Sequence, residues 1–71
     1  MEEKTLKELW TELDPEAQAR LLGLISKNLF TTTTTAMAYV RGYRSVPERK
    51  RPKLAEIITK NHSVKLKFAR P

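Results

Sequence analysis

Apolar residues recur along this chain at two different spacings. In "TLKELWTEL", Leu6, Leu9, Trp10 and Leu13 fall three and four residues apart, which predicts a helix with one apolar stripe. Thr5 before it and Glu8 three positions later form a capping-box pattern, so this helix starts near residue 5. Trp10 lies on the stripe and is read as a core residue. "LDPE" closes the segment and opens the next, with Asp14 as N-cap, Pro15 at the first helical position and Glu16 in the first turn. The second helix is predicted from about Pro15 to about Leu29, with Leu21, Leu22, Ile25 and Leu29 on its buried face. Ala17 and Ala19 permit close packing of its first turn, and Gly23 is its weak point.

Five consecutive threonines, residues 31–35, follow. A strand there would have no apolar face, and a linker would separate two halves each too small to hold a core. A helix start fits better. Ala36, Val40 and the Tyr39/Tyr43 pair recur at helical spacing, Thr32 is placed to cap, and Gly42 is placed to end the helix. The expectation is a short helix from about Thr33 to Arg41.

"RSVPERKR" reads as a basic loop, and a last helix is expected from Arg51 or Pro52, with Leu54, Ile57 and Ile58 buried and Asn61 as its stop. After it the spacing changes. "SVKLKF" alternates Val64, Leu66 and Phe68 with Lys65 and Lys67, the period of a half-buried strand. No other segment reads as a strand. Because a lone strand is unstable, this one is expected either to fold back on its own core or to pair antiparallel with a second copy, giving a weak homodimer through residues 63–68. The predicted fold class is all-α: about four helices with an extended C-terminal tail or strand. It forms a single domain over 1–71, with a core of about 5–61 and an extended basic tail, 62–71.

Composition agrees with a folded unit, since 39% of the 71 residues are hydrophobic. Cysteine is absent, which excludes disulfides and thiolate metal sites. No apolar run approaches the ~18 residues of a membrane span, and the acidic start "MEEKTLKE" is no signal peptide, so the expected location is cytoplasmic. Charge is unevenly placed: residues 1–30 sum to −2, whereas residues 31–71 sum to +8. A basic half on a small domain favours phosphate-bearing partners. Catalysis finds no basis. The single His62 has no second histidine for a metal site, and two glycines, Gly23 and Gly42, make no phosphate-cradling loop. Neither an enzyme, nor a cofactor, nor a metal, nor a small-molecule substrate is expected.

A helix ending in "LISKNLF", a short turn and a helix rich in small polar residues form a helix-turn-helix pattern, whose second helix enters the DNA major groove. "ISKNLFTTTTTAMAYVRGYRSVP" resembles the core of the Cro/repressor superfamily of phage and plasmid regulators, over roughly residues 17 to 61. With Gly42 and Pro47 as anchors, the resemblance puts Thr32 on the N-cap, and Ala36, Tyr39 and Val40 on the buried side of the recognition helix. It puts Thr33, Thr34, Met37, Ala38 and Arg41 on the side facing DNA. Phe30 stands where the family usually has glycine in the turn, and Ser26 where it has alanine at the helix contact. Phe30 is expected to fill a core pocket. The resemblance implies sequence-specific binding of double-stranded DNA by a regulator from a mobile element.

The expected recognition set is therefore Thr32, Thr33, Thr34, Met37, Ala38 and Arg41. A threonine offers a hydroxyl to a base or phosphate and a methyl to thymine, and an arginine reaches guanine edges. Tyr43, Arg44, Arg49, Lys50, Arg51 and Lys53 are expected on the DNA backbone. Lys60, Lys65 and Lys67 are read as background field. The alternative functions are a helical protein-interaction module with its basic face on an acidic partner, and a structured-RNA binder. Few aromatics, 7%, speak against stacking on single strands.

Overall fold

A computed structural model describes residues 2–68; Met1 and the tail residues Ala69, Arg70 and Pro71 lie outside the described residues. The element order is β1 (Glu2–Thr5), α1 (Leu6–Glu12), α2 (Pro15–Asn28), α3 (Thr33–Arg41), a 3-10 turn (Glu48–Lys50), α4 (Arg51–His62) and β2 (Val64–Lys67).

The helix starts follow from capping chemistry. The Glu8 amide donates to Thr5 Oγ1 at 3.1 Å, and the Thr5 amide donates to Glu8 Oε1 at 2.8 Å, so two amides at the helix start are satisfied reciprocally. That bond from the Thr5 amide holds the Glu8 carboxyl below its ordinary pKa. At α2, the Ala17 amide donates to Asp14 Oδ1 at 2.8 Å, ahead of a proline that has no amide to satisfy. The Gln18 side chain then donates to the Trp10 carbonyl at 2.8 Å and ties α2 back to the end of α1. Four helices stand where the apolar spacing puts them, α4 running one residue past Asn61 to His62, where Ser63 takes a left-handed conformation.

The core is one cluster to which the four helices and β2 contribute. Leu21 and Ile25 of α2, Val40 of α3, and Leu54 and Ile58 of α4 are its fully buried centre. Burying such a side chain stabilises the fold by about 1.5–3 kcal/mol. Leu6 and Leu9 of α1 close one side, while Trp10, Leu13 and Leu22 pack half-buried at its edge.

The fold is mostly helical rather than all-α. β1 and β2 form a two-stranded parallel sheet, in register Glu2↔Val64, Glu3↔Lys65, Lys4↔Leu66 and Thr5↔Lys67. β2 is the strand its alternation predicts, with Val64 and Leu66 buried and Lys65 and Lys67 exposed. Within the chain, β2 folds back onto β1 and its own core. β1 is a correction: "EEKT" has no alternating apolar pattern, so nothing in it announces a strand. It is extended because β2 needs a ladder partner and the Thr5 cap delivers one. Lys4 fastens β1 to α1 through hydrogen-bonded ion pairing with Glu12, which raises the lysine's pKa, and it also reaches Glu2 at 3.7 Å.

Candidate nucleic-acid interface

α2 and α3 are joined by a tight left-handed turn. Phe30 has φ +52°, and the Thr31 amide donates to the Ser26 carbonyl at 3.0 Å, a bond that closes the end of α2. Glycine is the usual occupant of that conformation, so phenylalanine holds it at a cost in backbone strain. Thr32 then caps α3, accepting from the Thr35 amide at 3.1 Å while its hydroxyl lies 3.0 Å from that of Thr35. At the other end Gly42 has φ +81°, with the Tyr43 amide donating to Ala38 at 2.9 Å and the Gly42 amide to Tyr39 at 3.2 Å. Both ends of α3 are therefore held by local bonds, and Ala36, Tyr39 and Val40 anchor its inner face in the core.

The remaining face of α3 is open. Thr33, Thr34 and Arg41 are exposed, as expected, and Thr32 is exposed beside them. Met37 and Ala38 are half-buried rather than fully outward; Met37 packs against the core, because the helix is short and its neighbours wrap part of that side. Phe30 is the larger correction. It does not fill a core pocket but is 93% exposed, since Leu29 already takes the buried position and the left-handed turn carries the next side chain out to solvent. Tyr43, just past the other end of α3, is 80% exposed. Among the described residues these are the two exposed large hydrophobic side chains, and they bracket α3. Sequence spacing did not find Phe30; the signal available was a large residue in the position where the resembled turn takes glycine.

The basic set divides in two. Arg44, Arg49 and Lys53 are exposed and Lys50 is half-buried, around the loop, the 3-10 turn and the first turn of α4. Arg51, also expected on the DNA backbone, is half-buried: its Nε donates to the Val46 carbonyl at 3.0 Å and its guanidinium lies over the Phe68 ring, 5.2 Å from the centroid. The ion pairs among the described residues join Lys4 to Glu2 and Glu12, Arg20 to Glu16, and Lys65 to Glu3. Arg41, Arg44, Arg49, Lys50 and Lys53 take part in none of them, and α3 carries no acid. The described residues hold no group of three or more acids and histidines placed to bind a metal. No protein-family model, curated protein or solved structure matches the chain.

Proposed function

We propose that the chain binds double-stranded DNA with α3 as the recognition helix of a helix-turn-helix. One observation carries this reading. A helix anchored by its inner face presents Thr33, Thr34 and Arg41 to solvent, between the exposed Phe30 and Tyr43, and the segment that follows carries Arg44, Arg49, Lys50 and Lys53, four more cations with no acidic partner among the described residues. Hydroxyls, an arginine and apolar groups on one narrow helix face are what base edges in a major groove can engage. Arg44, Arg49, Lys50 and Lys53 supply phosphate contacts that set register without reading sequence. The resemblance to Cro/repressor regulators extends this to transcriptional control from a mobile element.

A salt titration tests it. Log affinity for duplex DNA falls linearly with log salt, by about 0.9 per neutralised phosphate. Selection from a random duplex pool then yields a preferred site. Absence of duplex binding at low salt removes the reading and transfers this face to an acidic protein partner.

A further inference from the structure

A second basic feature shares Arg44 with the set following α3 but draws its other cations from elsewhere in the chain. Between the start of α1, the end of β2 and the loop after α3 there is an open cleft of about 290 Å³. Lys7, Arg44, Arg51 and Lys67 line it together with the hydroxyl residues Thr5, Tyr39 and Ser45, and no carboxylate residue lines it. These cations come from four separate parts of the chain, so their convergence is a product of the fold. Like charges gathered on one concavity repel one another and focus a positive potential into it.

Two of the four are held in place. Arg51 is fixed by its bond to the Val46 carbonyl and by the Phe68 ring beneath it, which leaves the rest of its guanidinium fork available. Lys67 is positioned by strand register opposite Thr5. The Lys7 stem runs beside the left-handed Gly42, where a Cβ would meet its Cδ at 3.5 Å. Glu8 feels the Lys67 charge, but its carboxylate is occupied by the Thr5 amide at 2.8 Å. None of the four cations forms an ion pair among the described residues.

We infer that this cleft is a binding site for a phosphate group. A tetrahedral oxyanion suits the set: its several acceptor oxygens can be shared by two guanidinium groups, two ammonium groups and the hydroxyls. The volume holds a phosphate with a small organic substituent. The same chemistry could arrive as a free phosphorylated small molecule or as a backbone phosphate of a duplex. The inference does not rest on the DNA reading of α3, because phosphate binding is measured without DNA.

The test is an amide chemical-shift titration of the whole chain with inorganic phosphate, against sodium chloride at matched ionic strength. Saturable shifts confined to Thr5, Ser45, Arg51 and Lys67, caused by phosphate and not by chloride, are expected. Lys67→Gln and Arg44→Gln, both at exposed positions, each weaken phosphate binding about tenfold with unchanged melting, as loss of a charge-assisted contact does. Lys60→Gln, outside the cleft, leaves it unchanged. Phosphate shifts that fail to saturate, that chloride reproduces, or that survive both cleft substitutions overturn the site. Repeating the titration with duplex present identifies the source: competition marks a backbone phosphate, and independent binding marks a free phosphorylated molecule.

Discussion

Thr5 stands opposite Lys67 in the register of the parallel strand pair, and the same threonine caps α1 through the Glu8 amide. One residue thus couples the two ends of the described chain to the first helix. A chain ending at Ser63 loses β2 and with it the buried Val64 and Leu66. At about 1.5–3 kcal/mol per buried apolar side chain, the expected loss is about 3–6 kcal/mol. Small domains have roughly 0.05–0.15 kcal/mol of stability per residue, so the truncated chain should lose a large share of its stability, seen as a much lower urea midpoint by circular dichroism. A truncated chain that melts like the whole one would show the strand pair to be incidental.

Within the threonine run, neighbouring positions are expected to separate fold from recognition. Thr32→Ala removes the oxygen that receives the Thr35 amide. It should lose about 1 kcal/mol, seen as a drop in melting temperature of about 4–8 °C. Thr34 is exposed and caps nothing, so Thr34→Ala should stay within about 0.5 kcal/mol in stability while altering the preferred duplex sequence. Binding-site selection that returns the same sequences for Thr34→Ala would detach α3 from base reading.

Phe30→Gly should move stability and binding in opposite directions. Relief of left-handed strain, about 1–2 kcal/mol, exceeds the added chain entropy of glycine, about 0.5–1 kcal/mol, so the melting temperature should rise. Duplex affinity should fall, because the exposed ring beside the cap of α3 is lost. A variant that is more stable and binds duplex as tightly as before would mean that Phe30 has no part in the interface.

Stability should fall at acid pH partly through Glu8. Its folded pKa is depressed by the Thr5 amide, so its contribution is full above the ordinary carboxylate pKa and disappears as pH drops through the lower folded value. Glu8→Gln keeps an acceptor for the capping box but cannot titrate. The acid limb of its stability curve should therefore be flatter than that of the unaltered chain, measured by urea midpoint against pH. Lys4 has the opposite sign. Its pKa is raised by Glu12, so its contribution is lost only as pH climbs through that raised value.

Local chemistry written into the sequence determined the helices. Thr5, Asp14 and Thr32 each satisfy amides within three residues, and the apolar spacing of Leu21, Ile25 and Leu29 needs nothing distant to define a buried face. For the same reason Ala36, Tyr39 and Val40 were legible as the inner side of α3, and Thr33, Thr34 and Arg41 as its outer side. What only the tertiary structure decided depends on residues far apart in the chain. β1 exists because β2 comes to lie beside it, and four residues without an apolar pattern carry no record of that partner. Phe30 is hydrophobic, and only the left-handed turn after a filled core position sends it outward. Arg51 reads as one more cation in a basic run until Val46 and Phe68 are folded against it. Lys67, a residue of mere background charge by sequence, is placed by strand register in a cleft with three other cations. Capping and periodicity act over a few residues, whereas pairing, burial and charge convergence are set by which distant segments meet.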